Sequence, residues 1–286
     1  MTNEKVSRSL VVGGTGLVGG YIVRHLMQRG EQPLAMSRKQ HEASDVQWVC
    51  ADLRNVNTLA FDCITTIYCT ADAALLATAL PRLISPVTKR VVAFSSTSVL
   101  TKQDSEVLEE REMIRKLRQA EETIISVCQQ SGVDWTILRP TLIYAEGRDT
   151  NITPLSKLIQ RFHFMPLVGG GTGLRQPVHA EDLAIGAINA AGSALAANRF
   201  YSLPGGEAIT YREMVGRIFD GLGMPRCMFT ISPTLWRAAF VLAKPLYPNA
   251  NVAMGIRMTT DMSFDIEPAQ SDFGWKPRLF RPRFDV

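Results

Sequence analysis

The chain has 286 residues, 46% of them hydrophobic and 20% charged, with a formal net charge of +4. This composition reads as a globular body without low-complexity tracts. The mild, scattered positive charge suits an anionic small molecule and argues against a nucleic-acid binder. Five cysteines, Cys50, Cys63, Cys69, Cys128 and Cys227, are odd in number and lack C-x-x-C spacing, so neither a disulfide framework nor a metal site is expected. They fit a reducing, cytoplasmic setting. The first ten residues lack the long apolar core of a signal peptide. Leu235 to Tyr247, the most apolar late stretch, contains Arg237, Lys244 and Pro245 and is too short to span a bilayer. It reads as a buried or partly exposed helix, with a membrane-surface contact as the alternative.

In chain order, Leu10-Val11-Val12 reads as a buried strand, followed by Gly13-Gly14-Thr15-Gly16-Leu17-Val18-Gly19 and then by Tyr21, Ile22, Val23, Leu26 and Met27 at helical spacing. Strand, glycine turn and helix make a phosphate cradle. Gly13 permits the tight turn, Gly16 lets a backbone approach a pyrophosphate, and Gly19 lets helix and strand pack closely. The spacing is G-x-x-G-x-x-G rather than G-x-G-x-x-G, and taken alone it is shared by purely structural turns. After Gly30, Gln32 to Met36 predicts a second strand ending at Ser37-Arg38-Lys39, where a dinucleotide fold meets the adenosine ribose about 20 residues past the glycines. An acidic residue there would hold the 2′-hydroxyl of NAD; Ser37 and Arg38 favour the 2′-phosphate of NADP instead, unless Arg38 and Lys39 are ordinary solvated turn residues.

Val46 to Ala51 reads as a third strand followed by Asp52-Leu53, with Asp52 suited to the adenine amine or to capping a helix. Ile64 to Cys69 is a fourth strand, with the small Thr70 and Ala71 at its carboxyl end, and an apolar helix runs from about Asp72 to Leu83. Arg90 to Phe94 is a fifth strand ending in the hydroxyl cluster Ser95-Ser96-Thr97-Ser98. A long helix is expected from Asp104 to Gln130, with an apolar face at Val107, Leu108, Met113, Ile114, Leu117, Ile124, Ile125 and Cys128. Val133 to Leu138 is the sixth strand, running into Arg139-Pro140-Thr141. This alternation predicts a Rossmann-type doubly wound parallel sheet with helices on both faces and its ligand across the carboxyl ends of the strands.

From Tyr144 the alternation loosens. Asn151 to Arg161 reads as helix, Pro166 to Gly173 as a flexible loop, Gln176 to Val178 as extended, Ala180 to Ala191 as helix, Arg199 to Leu203 as strand, and Thr210 as the cap of a helix to Leu222. The remainder reads as helix and loop. The expected organisation is a dinucleotide-binding core over 1–145 and a smaller C-terminal substrate lobe over 146–286, which returns one or two strands to the core sheet and packs on its carboxyl edge as one compact unit.

Several ordered stretches, VVGGTGLVGG, ADL, VVAFSSTSV, GVDWTILRPTLIY, GTGLRQPVHAEDLA, NRFYSLPGGEAITYREMV and FGWKPR, resemble the extended or atypical short-chain dehydrogenase/reductases of the NAD(P)-dependent epimerase/dehydratase type nearly end to end. The resemblance implies that Gly13 to Gly19 hold the pyrophosphate and Arg38 the 2′-phosphate. It also implies that Asp52, Leu53, Thr70, Ala71 and Ser95 line the cofactor, and that Pro140, Thr141 and Ile143 lie along the nicotinamide. Arg175 corresponds to the arginine that grips a nucleotide-sugar diphosphate, with an ion pair to Glu181 or Asp182 as the alternative; Thr97 and Asn151 join it on the substrate side. His179 reads as structural. The implied activity is oxidation, reduction or epimerisation of a phosphate-bearing small molecule such as a nucleotide-sugar, by a monomer or a homodimer paired through its long helices.

Family chemistry also needs a hydroxyl plus Tyr-x-x-x-Lys on the long helix, where the lysine lowers the tyrosine pKa for proton exchange. Ser96 suits the hydroxyl and Lys116 the lysine. Yet Glu112 stands four residues before Lys116, and no tyrosine occurs from 69 to 143. Glu112 and Lys116 also read as an ordinary helical i, i+4 pair. The same residues therefore admit a second reading, a catalytically inactive NADP(H)-binding sensor or assembly subunit.

Overall fold

The computed structural model describes residues 8–41, 45–55, 63–237 and 255–284. They divide into two compact units. The first comprises Met1–Thr141, Ala180–Leu203 and Ile266–Lys276; the second comprises Leu142–His179, Pro204–Asp265 and Pro277–Val286.

The amino-terminal half supplies β1 (Arg8–Val12), α1 (Leu17–Gln28), β2 (Leu34–Ser37), β3 (Gln47–Cys50), β4 (Ile64–Cys69), α2 (Ala73–Leu83), β5 (Arg90–Phe94), α3 (Ser98–Thr101), α4 (Leu108–Gln130) and β6 (Asp134–Pro140). The remainder supplies β7 (Ile143–Tyr144), α5 (Ile152–Phe162), β8 (Met165–Val168), β9 (Leu174–Arg175), β10 (Val178–His179), α6 (Ala180–Gly192), β11 (Arg199–Leu203), β12 (Ile209–Thr210), α7 (Tyr211–Gly221), β13 (Met228–Ile231) and α8 (Glu267–Phe273).

In the first unit seven parallel strands lie in the order β11-β6-β5-β4-β1-β2-β3. Side chains alternate across a strand. Leu10, Val12, Ile67, Cys69, Val91, Ala93, Trp135 and Ile137 accordingly share one core with Leu76, Leu80 and Leu83 of α2 and Ala120, Ile124 and Cys128 of α4. The intervening Val11, Tyr68, Val92 and Leu138 are equally buried but stand outside that core, on the face where α1 packs against α6. Apolar burial on both faces is why these strands read as continuous hydrophobic runs. The doubly wound fold is thereby established.

The long helix begins at Leu108 rather than at Asp104, because the Ser105 hydroxyl accepts the Val107 N–H and donates to Glu110, fixing a turn where the first helical turn would be. Leu108 and Met113, assigned to its apolar face, are 67% and 52% exposed.

The second unit has strand ladders and a hydrophobic core of its own. Three two-stranded ladders, β7 with β10, β9 with β12 and β8 with β13, surround a core of Tyr144, Ile152, Ile159, Leu167, Met214, Ile218, Phe219 and Phe280. Pro166 to Val168, expected as loop, is strand because β13 pairs with it in parallel from sixty residues downstream, and β13 lies in a region expected to be helix and loop. Glycines resume the turn at Gly169–Gly171. Of the apolar stretch Leu235 to Tyr247, residues 238–247 lie outside the described residues.

Candidate functional site

The strand order reverses between β1 and β4, and the glycine turn stands at that point. Gly13 has φ +82, a conformation open to glycine, and a Cβ there would lie 2.8 Å from Thr70 Oγ1. At Gly19 a Cβ would lie 2.1 Å from the Gly13 carbonyl oxygen, so the helix reaches the turn only with a bare backbone. The Gly16 N–H donates to the Gly13 carbonyl at 2.8 Å, and the Thr70 hydroxyl donates to Val12 and Gly13 carbonyls at 3.2 and 3.3 Å, tying β4 to the turn. The Gly14 N–H donates to the Met36 carbonyl. Thr15 and Gly16 are exposed, Leu17 half-buried and Val18 buried. No side chain caps α1 and no acid stands in its first turn, so its terminal N–H groups and positive dipole end are open to an anion.

A cleft of ≈ 330 Å³ opens on this turn, lined by Gly13, Thr15, Gly16, Arg38, Asp52 and Arg54 together with Ser37, Leu53, Thr70, Ala71 and Asp72. Ser37 is buried; its hydroxyl accepts the Lys39 N–H at 3.1 Å and lies 3.0 Å from His41 Nε2. The Asp52 carboxylate accepts the Arg54 N–H at 2.9 Å, which is a turn-forming bond. Leu53 is buried in the sheet core. Asp72 caps α2 by accepting from Ala74 and Leu75. Arg38 and Arg54 are exposed on the cleft and form no ion pair among the described residues. The sequence pattern missed Arg54, because an arginine in a turn carries no signal until the turn is folded beside Arg38.

At the carboxyl end of β5 three hydroxyls behave differently. Ser95 Oγ is buried with no hydrogen-bond partner among the described residues. Ser96 Oγ accepts the Ser98 N–H at 3.1 Å. Thr97 is buried, and both its hydroxyl and its N–H donate to the Pro140 carbonyl at 3.0 and 3.1 Å. Thr141 donates to the Leu203 carbonyl, which seats the end of β6 beside β11. On α4, Glu112 and Lys116 are 47% and 66% exposed and lie 3.7 Å apart, while Arg115 grips the Glu112 carboxylate at 2.8 and 2.9 Å. The bond from Arg115 holds the Glu112 carboxyl below its ordinary pKa despite some opposing desolvation. That is a solvated helical ion cluster.

In the second unit, Arg175 is buried, and its guanidinium donates to the carbonyls of Leu174, Thr260 and Arg257 over the ring of Tyr211. Burial draws its pKa below the usual value. Asn151 donates from its side chain to the Ile143 carbonyl at 2.8 Å, and Ile143 pairs with Val178. Tyr144 is buried edge-on against His179 and Phe280, and His179 Nε2 lies 3.4 Å from Glu146 Oε2.

The profile of the NAD(P)H-binding family matches residues 13–161. A mitochondrial protein of Arabidopsis thaliana, NADH dehydrogenase [ubiquinone] 1 alpha subcomplex subunit 9, is 26% identical over 73% of this chain and 56% of its own length. UDP-glucose 4-epimerase of Vibrio cholerae is 23% identical over 56% of this chain and 47% of its own. The chain thus spans about half the length of these curated relatives. Among solved structures, MoeE5 in complex with UDP-glucuronic acid and NAD superposes with a TM-score of 0.69 at 19% identity, covering 96% of this chain and 94% of that one, which shows a shared fold.

Proposed function

The chain belongs to the NAD(P)H-binding family, and on that premise we propose that it is an NADP(H)-binding protein of oxidoreductase and epimerase fold that holds the dinucleotide without the family's tyrosine–lysine proton relay. The observation that carries this reading is the contrast between an open cradle and an occupied relay position. The glycine turn and α1 terminus offer free donors, whereas Glu112, at the tyrosine's place in the motif, is bound to Arg115 and Lys116 in solvent. Gly13, Gly16 and Gly19 would receive the pyrophosphate, and Arg38 with Arg54 the 2′-phosphate, a fork-shaped cation being suited to phosphate oxygens. This selects NADP over NAD. When bound, the nicotinamide supplies or accepts a hydride; the chain's own groups would orient the dinucleotide and exclude water.

One observation favours a second reading, that of a reductase or epimerase acting on a phosphate-bearing small molecule such as a nucleotide-sugar. Ser95 presents a buried hydroxyl with no partner among the described residues at the carboxyl edge of the sheet; the Vibrio relative is named for such a compound and MoeE5 was solved in complex with one. Thermal denaturation with NADPH and NADH, followed by absorbance assays of NADPH consumption against UDP-sugars, separates the two. NADPH is expected to raise the melting temperature more than NADH does, with no turnover. Turnover abolished by Ser95→Ala would replace the first reading with the second. Equal shifts by both cofactors would remove the choice of NADP.

A further inference from the structure

The second unit carries a surface that the nucleotide site does not use. Phe162 at the end of α5, Phe164 just before β8 and Phe229 in β13 are 43%, 41% and 46% exposed. They nevertheless touch one another, with ring centroids 6.2 Å apart for Phe162 and Phe164 and 5.5 Å for Phe164 and Phe229. Leu158, one turn back on α5, is also exposed. The pairing of β8 with β13 sets Phe229 opposite Pro166 and assembles this cluster from distant segments. Contiguous apolar clusters of this kind mark contact surfaces, whereas single exposed apolar residues do not.

The charge around the rings says what the surface meets. In a chain with 27 acidic residues, none occurs between Asp149 and Glu181 or between Asp220 and Asp261, the two segments that build the cluster. The same segments carry basic residues. Arg226 is paired with Glu213 and Asp220, and Arg175 is buried. Lys157 and Arg161, however, are exposed beside the rings and have no acidic partner among the described residues, and the Arg161 guanidinium lies 5.4 Å from the centre of the Phe162 ring. Aromatic rings carried on acid-free segments with exposed cations match the headgroup layer of a membrane, where rings settle at the interface and cations face anionic lipid. No helix among the described residues is long and apolar enough to cross a bilayer, so the contact is interfacial.

We propose that the face formed by Leu158, Phe162, Phe164 and Phe229, rimmed by Lys157 and Arg161, docks on the surface of an anionic phospholipid bilayer. The proposal stands independently of the nucleotide reading. Its test is co-sedimentation of the full chain with vesicles of phosphatidylcholine alone and of equimolar phosphatidylcholine and phosphatidylserine. Binding to the second and not the first, weakened by salt, is expected. Phe164→Ser with Phe229→Ser should abolish it at an unchanged melting temperature. Lys157→Glu with Arg161→Glu, at solvated helix positions, should weaken it at least twentyfold, since each cation at an anionic surface accounts for about fivefold; this variant keeps the test valid should the phenylalanine pair fail to fold. Absence of vesicle binding, or variants that bind like the parent, would overturn the proposal. So would a chain that ignores vesicles but self-associates through this face, seen as a phenylalanine-dependent dimer in sedimentation velocity.

Discussion

Arg38 and Arg175 are both arginines that the sequence motifs assign to phosphate, and the two units treat them in opposite ways. Arg38 stands exposed at the end of β2 with Arg54 on the same cleft, each free of acidic partners among the described residues. Arg175 is sealed by three backbone carbonyls over a tyrosine ring. A guanidinium whose donors are already matched to carbonyls gains little from a phosphate and leaves three acceptors bare if it moves. The difference teaches that an arginine's motif position does not reveal its role; the fate of its donors does.

The strongest way to break this contrast is Gly19→Ala. The added methyl meets the Gly13 carbonyl at 2.1 Å, so the turn must open, and the NADPH-induced rise in melting temperature should vanish; a retained rise would relocate the nucleotide. Next is Arg175→Leu, which removes three charge-assisted bonds to backbone carbonyls and should cost roughly 3 kcal/mol of stability in urea denaturation, while NADPH affinity measured by calorimetry stays unchanged. A stable variant that binds NADPH normally but has lost a sugar nucleotide would give Arg175 the phosphate role instead. Arg38→Ala and Arg54→Ala sharpen the open side. Each should raise the Kd for NADPH about tenfold, near the value of one charge-assisted bond of roughly 1.5 kcal/mol, and leave NADH unaffected.

A smaller effect concerns acid. Burial pushes the Asp149 carboxyl up, but it is outweighed by bonds accepted from the Thr153 hydroxyl and from the N–H groups of Asn151, Thr153 and Ile152, which hold it below its ordinary 3.8. A depressed carboxyl contributes stability that is fully present above its unfolded pKa and lost as pH falls through the folded one. The contribution of Asp149 should therefore be lost only below about pH 4, and Asp149→Asn should flatten that part of a stability–pH profile. Glu112→Gln should do least, with melting temperature and NADPH response unchanged; a large loss of turnover in this variant would reinstate the residue in chemistry.

The sheet of the first unit was legible because strands buried on both faces are written as unbroken apolar runs, and because Gly13, Gly16 and Gly19 punctuate strand from helix at fixed intervals. Pro166 to Val168 was not legible: a short stretch with a proline becomes strand only when Met228–Ile231 arrives to pair with it. For the same reason Arg175 could not be read, since Arg257 and Thr260 lie more than eighty residues away. The hydroxyl cluster after β5 was visible as a cluster. Which of them is buried without a partner among the described residues emerges only in the fold: the Pro140 carbonyl takes Thr97, Ser96 accepts from the Ser98 N–H at the α3 entry, and Ser95 Oγ is sealed in with none.

The position of β11 has a consequence for biogenesis. It completes the sheet by pairing with β6, yet the second unit's Leu142–His179 segment is made in between. On a ribosome adding roughly 5–20 residues per second, β6 emerges several seconds before its neighbour exists. During that interval its outer edge, with unpaired N–H and C=O groups, is a template for any extended chain nearby. Nascent-chain stalling between Pro140 and Arg199 should therefore expose this molecule to holdase chaperones at the moment when its glycine turn and first helix are already built.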